Sequence, residues 1–167
     1  MATPPLTPLA AAVLHVGRPE RVLEVACGEG EATLFLAREF PRARVRGVDR
    51  SEQAIRRAKA RVGLDPEGRV AFKVGAPASL PFPDDLFDLL VLVDAAPRAS
   101  ESARVLRPGG HLILVETDGT RTLGRAARLR RRRLRRAGIE PLRAATAGEG
   151  SFFVGRLRGR GGEGSAD

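Results

Sequence analysis

The sequence predicts an α/β fold: a mostly parallel β-sheet of seven strands, closed by a C-terminal antiparallel hairpin, with helices on both faces. Three observations predict it. Short apolar runs and helical segments alternate five times along the chain, as they do where each strand leads into a crossover. The run FDLLVLVD (87–94) is almost continuously apolar, the pattern of a parallel strand buried on both faces. The last two strand-like runs face each other across the short turn TAGEG (146–150), so they pair antiparallel.

A first helix is expected over 8–16, with Thr7 as its cap and Pro8 at the first helical position. RVLEVA (21–26) is too short for a helix and reads as a buried strand, which CGEG (27–30) breaks. The helix EATLFLAREF (31–40) ends before Pro41. ARVRGVD (43–49) is the second strand. Ser51 caps a helix that stops near Gly63. RVAFKV (69–74) is the third strand, and a proline-rich loop, GAPASLPFPDD (75–85), leads to the fourth (87–94). ESARVL (101–106) reads as a short helix ended by Pro108 and the pair Gly109-Gly110, before a fifth strand at 111–116. An arginine-rich helix is expected at about 121–137, then the hairpin strands 139–145 and 151–158. Residues 1–158 are expected to form one domain, and 159–167 a disordered tail.

A chain of 167 residues fits one domain and buries roughly 70 % of its unfolded surface. No run of about 18 apolar residues occurs, so no transmembrane helix is expected. The start, MATPPLTPLA, lacks the charge and apolar core of a signal peptide. The single cysteine forms no internal disulfide, and no Cys/His cluster suggests a metal. These features point to the reducing cytoplasm. Arginine outnumbers lysine 27 to 2 and asparagine is absent, which fits a GC-rich genome or a thermophilic source.

The net charge of +9 is local. Residues 121–136, RTLGRAARLRRRRLRR, hold nine arginines and no acid, which accounts for all of it. Leu123, Ala127, Leu134 and Ala137 recur at helical spacing as an apolar stripe. Two readings stay open: a solvated face whose arginine stems shield the core, or a site for an anionic partner such as RNA, an acidic surface or a lipid headgroup. The aromatic platform of many RNA binders is missing, since Trp and Tyr are absent.

Parallel sheets bind ligands beyond the C-terminal strand ends, near the point where strand order reverses. Four segments fall there or flank it: VLEVACGEG (22–30), GVDRS (47–51), LPFPDDLFDLLVLVDA (80–95) and RVLRPGGHLILVE (104–116). Together they resemble the class I S-adenosylmethionine-dependent methyltransferases, and within them the small bacterial ubiquinone/menaquinone-type group. The resemblance covers about residues 20–157. It implies a Rossmann-like sheet of order 3-2-1-4-5-7-6 with strand 7 antiparallel. It also implies S-adenosyl-L-methionine as cofactor and methyl transfer by direct displacement, with a small molecule as acceptor.

The glycine loop suits this chemistry. Gly28 and Gly30 lack Cβ, so a ligand can approach the main chain. The following helix N-terminus attracts an anion, which in the family is the cofactor's carboxylate. By resemblance Glu24 faces the cofactor's cationic amino end, directly or through water, and Ala26 stands where the family pattern has glycine. Asp49 can accept hydrogen bonds from both ribose hydroxyls, a device that dinucleotide enzymes share. The dinucleotide fingerprint, however, requires a small third residue where this chain has Thr33. The plainer readings are a tight strand-to-helix turn without ligand and a solvated acid at Asp49.

One segment departs from the family. Relatives read Gly-Asp-Ala where this chain reads Gly75-Ala76-Pro77. Ala76 has no carboxylate and Pro77 no N–H, so two hydrogen bonds to the adenine edge are lost, each about 0.5–1.5 kcal/mol. Arg50 can compensate by stacking on the base, and Leu80 and Phe82 by apolar cover. Asp94 ends the fourth strand at the edge of the reaction centre, where it either orients substrate or accepts a proton, or is a polar strand end. DAAPR (94–98) is not the motif of amino-group DNA methyltransferases, and the metal ligands of catechol-type enzymes are incomplete. His15, His111 and Cys27 are expected to be structural. Two alternatives remain: an RNA- or ribosome-associated protein using helix 121–136, and a degenerate, non-catalytic member.

Overall fold

The computed structural model describes residues 6–118 and 125–159. The expectations for residues 1–5, for 121–124 (Leu123 included) and for the tail 160–167 lie outside the described residues. Elements follow in the order α1 (Thr7–Val13), β1 (Arg21–Val25), α2 (Glu31–Glu39), β2 (Arg44–Asp49), α3 (Glu52–Arg61), β3 (Val70–Val74), β4 (Phe87–Val93), α4 (Ala99–Val105), β5 (Leu106–Glu116), α5 (Arg125–Arg136), β6 (Ile139–Ala147) and β7 (Gly150–Leu157). One sheet holds all seven strands in the order β3-β2-β1-β4-β5-β7-β6. β1 to β5 run parallel, and β7 is antiparallel to β5 and β6. Chain order reverses at β1, which pairs with β2 on one side and β4 on the other.

Period-two alternation sorts the strand side chains onto two faces. Val22, Leu89, Val91, Ile113 and Val115 pack with α1 and α2 in one core. Leu23, Val25, Leu90, Leu92, Leu112 and Leu114 pack on the other face, with Val105 of α4 and Leu134 of α5. Cys27, Ile55, Ala58 and Phe72 form a smaller cluster between α3 and the β2–β3 edge. On α5, Ala127 and Leu134 are buried as the stripe predicts, and Ala137 is half-buried. Among the described residues no helix is long and apolar enough to cross a membrane.

Several boundaries differ from the sequence expectation: α4 starts at Ala99 and β6 runs on to Ala147, which narrows the turn TAGEG, and three further differences have a visible physical reason. α1 is shorter at its end, because its last turn tightens: the His15 and Val16 amides donate to the Ala12 and Val13 carbonyls, three residues back. Thr7 lies inside α1, and Leu6 takes the cap position without a side-chain hydrogen bond. Thr7 instead packs against the β6–β7 turn, where a Cβ placed on Gly148 would meet Thr7 Cγ2 at 3.4 Å. The third difference is at Pro108-Gly109-Gly110. These residues do not follow a helix stop; they lie inside β5, which starts at Leu106. The register jumps from Phe87↔Leu106 to Leu89↔His111, so 107–110 bulge. Gly110 is needed there: a Cβ would sit 2.9 Å from the Arg107 carbonyl and 3.1 Å from that of Asp88.

Between β3 and β4 the chain crosses over without a helix. Leu80 covers the sheet face itself, 6 % exposed, and Phe82 packs edge-on against Phe87 at 5.0 Å between ring centroids. Both side chains therefore serve the core, in place of the apolar cover for adenine that the sequence suggests. Arg104 of α4 satisfies the loop's backbone, donating to the Phe82 carbonyl at 2.9 Å and the Leu80 carbonyl at 3.1 Å. It also pairs with Glu101 at 2.7 Å and Asp84 at 2.8 Å, while the Leu80 amide donates to Glu101 Oε2 at 2.7 Å. Arg104→Ala strands these acceptors and is expected to lower stability by about 2–3 kcal/mol. Arg104→Lys restores little of this, since an ammonium cannot reproduce the fork. Urea unfolding of both variants measures the loss, and a wild-type midpoint for Arg104→Ala would refute the clamp.

Candidate functional site

The site forms where β1 and β2 end beside the switch point. Ala26 takes a left-handed conformation, φ 60°, as β1 turns into the loop. That conformation explains the glycine of the family pattern; alanine adopts it at about 1–2 kcal/mol. Gly28 and Gly30 are also left-handed, at φ 52° and 83°. The Gly30 amide donates to the Cys27 carbonyl at 2.9 Å, closing the turn, and Gly30 becomes the cap of α2 without a side-chain hydrogen bond.

The two glycines do different work. A Cβ on Gly28 meets nothing within 4 Å, so the main chain there faces open space. A Cβ on Gly30 would stand 2.5 Å from Phe72 Cζ and 3.2 Å from Ala58 Cβ. Gly28 thus matches the expectation of an approachable backbone, whereas Gly30 is required by packing against α3 and β3. The loop is further tied to α3 by Arg57, whose guanidinium lies 2.7 Å from Glu29 Oε1.

Asp49 links this loop to β2. Its Oδ2 accepts the Gly28 amide at 2.9 Å and its Oδ1 the Ser51 amide at 2.9 Å. Each carboxylate oxygen has two acceptor sites, so one on each stays available in a half-buried position. Ser51 then caps α3, its hydroxyl accepting the Ala54 amide at 3.1 Å.

Glu24 lies beneath the loop, 2 % exposed. It alternates with Leu23 and Val25, so it points toward α2, where the Thr33 hydroxyl donates to its Oε2. Burial pushes its pKa up to about 8; the Thr33 hydrogen bonds oppose this, and the nearby carboxylates of Asp49 and Glu31 reinforce it. Burial, with Glu24 and Asp49 adding to it, also raises the Cys27 thiol pKa, so Cys27 is a packed residue and no thiolate. Thr33 was legible in the sequence only as the residue that breaks the dinucleotide fingerprint.

The remaining residues lie around the strand ends. The Ala76 carbonyl accepts the Ser79 amide at 3.0 Å in a tight turn, and Pro77 lines an open cleft of about 910 Å³ together with exposed Arg50. Asp94 is left-handed at φ 51°. Thr117 donates to each of its oxygens, the amide to Oδ1 at 2.9 Å and the hydroxyl to Oδ2 at 2.6 Å, which clips β4 to the end of β5. His15 stacks on Phe152 at 5.7 Å. His111 sits in β5 with its pKa lowered by burial and by Arg156.

This arrangement fits the ligand that the resemblance implies at two of its ends. The open approach past Gly28 and the dipole at the N-terminus of α2 suit a carboxylate, and the free acceptor sites of Asp49 suit a diol. The base end is less furnished, because Ala76 offers no carboxylate and Pro77 no N–H. A sheet of this order, with a glycine loop bonded to the acid that ends β2, defines the Rossmann-like class I methyltransferase fold.

Residues 22–110 match the methyltransferase domain family, and the chain belongs to that family. It is similar to the ubiquinone/menaquinone biosynthesis C-methyltransferase of Geobacter sulfurreducens, 35 % identical over 111 residues, 61 % of this chain and 43 % of that one. It is also similar to fatty-acid O-methyltransferase of Mycolicibacterium smegmatis, 36 % identical over 104 residues, 58 % of this chain and 37 % of that one. The chain spans less than half the length of these curated relatives. A SAM-dependent methyltransferase from Aquifex aeolicus shares the fold, with a TM-score of 0.74 at 19 % identity over 91 % of this chain and 90 % of that one.

Two expectations follow from the loop. Gly30→Ala combines left-handed strain with a clash on Phe72 and is expected to lower stability by about 2–4 kcal/mol. Gly28→Ala meets only the strain, about 1–2 kcal/mol; equal losses in chemical denaturation contradict the division between them. Glu24 gives a pH dependence. Its folded pKa of about 8 lies above the ordinary 4.5, so below pH 4.5 both states are protonated and the full stability is present. Between about pH 4.5 and 8 only the unfolded state releases the proton, and stability falls with a limiting slope of about 1.4 kcal/mol per pH unit. Glu24→Gln removes this decline. Its stability relative to wild type should rise across that window, and parallel curves would show that Glu24 is already charged in the fold.

Proposed function

We propose that this chain is an S-adenosylmethionine-dependent methyltransferase that acts on a small-molecule acceptor. The single observation that carries the reading is the 2.9 Å hydrogen bond from the Gly28 amide to Asp49, with open space in front of Gly28. The names of the quinone- and fatty-acid-modifying relatives support a small molecule as acceptor.

When bound, the cofactor supplies an electrophilic methyl group on its sulfonium. The protein supplies position and charge. The first turn of α2 offers its dipole to the carboxylate, the open approach past Gly28 gives it room, and Asp49 accepts from the ribose hydroxyls. Arg50 offers its guanidinium plane to the base, beside Pro77. Glu24 is a positioning residue, tying the first turn of α2 to β1 through Thr33. Asp94 fastens β4 to β5 through Thr117, and no proton transfer is assigned to it. Ala76-Pro77 favours a second reading, a non-catalytic domain that has kept the fold.

Calorimetric titration with S-adenosylmethionine separates the two. Wild type is expected to bind, and Asp49→Ala to lose measurable binding, with circular dichroism verifying that it is folded. Ala76→Asp restores an acceptor for the base edge and is expected to tighten binding up to about tenfold. A wild-type chain silent at millimolar cofactor rules out the enzyme reading.

A further inference from the structure

Four arginines converge on the open cleft of about 910 Å³. Arg50 follows β2, Arg98 precedes α4, and Arg133 and Arg136 stand one turn apart on α5. Among the described residues no acid lines the cleft. Among the described residues none of these four guanidinium groups has an ion pair or hydrogen bond to a protein acceptor. Their neighbours on α5 differ: Arg130 pairs with Glu116 at 2.7 Å, Arg135 with Glu140 at 3.8 Å, and Arg131 lies 5.8 Å from the Phe153 ring centroid. Arg125, Arg128 and Arg132 on α5 lack such partners too, so what distinguishes the cleft arginines is their convergence on one cleft. They come from three separate segments and meet at the strand ends, next to Pro77 and the loop after β4.

Four like charges facing one another without counter-charge repel, and a polyanion relieves that repulsion. Guanidinium forks match phosphate oxygens in bidentate pairs. The cofactor proposed above carries a single carboxylate, assigned to the first turn of α2, and takes only the guanidinium face of Arg50, which leaves Arg98, Arg133 and Arg136 unused. The cleft walls hold no aromatic side chain on which a nucleobase could stack, which disfavours a polynucleotide. We infer that the cleft binds the methyl acceptor and that this acceptor is a small molecule carrying a phosphate or diphosphate group. The word acceptor rests on the methyltransferase reading; the anion site does not.

The test uses the full chain at low ionic strength with inorganic pyrophosphate as probe, followed by calorimetry. Pyrophosphate is expected to bind, and the double variant Arg98→Gln/Arg133→Gln to weaken it at least about tenfold. The same variant should keep wild-type affinity for S-adenosylhomocysteine, titrated separately. A control, Arg125→Gln/Arg128→Gln, removes equal charge from α5 outside the cleft and should leave pyrophosphate affinity unchanged. Absence of pyrophosphate binding overturns the proposal, as does equal weakening by the control pair. So does a single-stranded polyuridine oligonucleotide that outcompetes pyrophosphate and is weakened by both pairs alike, which makes α5 a nucleic-acid face. Pyrophosphate binding without S-adenosylhomocysteine binding keeps the anion site and removes the methyltransferase reading. The converse result keeps that reading and removes the anion site.

Discussion

The hydrogen bond between the Gly28 amide and the Asp49 carboxylate joins two segments that are 21 residues apart. It fixes the distance between an open stretch of main chain and an acidic group with acceptor sites to spare. Asp49 also accepts the Ser51 amide, and Ser51 in turn caps α3. One carboxylate therefore sets the end of β2, the mouth of the glycine loop and the start of a helix. Arg57 and Glu29 brace the same loop from α3. Because β1 and β2 are paired in the sheet from Arg21↔Arg44 to Val25↔Val48, these contacts rest on a rigid base.

Charge is handled differently on the two sides of the site. Beneath the loop, Glu24 is deeply buried, and burial, with the nearby carboxylates of Asp49 and Glu31, raises its pKa and favours its uncharged form. On the α4–α5 side the cations are exposed around an open cleft. The loop between β3 and β4 connects these regions. It has no helix of its own, so its backbone groups depend on Arg104 and Glu101 for partners. A site of this type needs walls that do not shift, and here the wall is fixed by side chains reaching from the neighbouring helix.

Much of this was legible in the sequence. The strands follow from apolar runs too short for helices, and the order of the sheet from the resemblance of four segments. Ser51 was readable as a cap because its partner is local. Thr7 was not, because the hairpin turn that it packs against is more than a hundred residues away. Pro108-Gly109-Gly110 resembles a helix stop, yet its glycines answer a close backbone approach to Asp88, a tertiary constraint that no local pattern encodes. Asp49 is readable as a candidate because it ends a strand 21 residues after Gly28, within the segment GVDRS that carries the resemblance. The pairing of Glu24 with Thr33 was hidden, since burial turns an ordinary acid into a neutral one only in three dimensions. The arginine cleft was half visible: the run on α5 stands out in composition, but Arg50 and Arg98 join it only through the fold.

Ala26 occupies a left-handed turn that glycine would enter freely. An alanine explores fewer backbone states than glycine in the unfolded chain, so less disorder remains to be removed at this bend. The ordering of the loop is completed when the protein folds, before any visitor arrives. A bend already fixed by the fold spares any ligand that docks there the cost of ordering it.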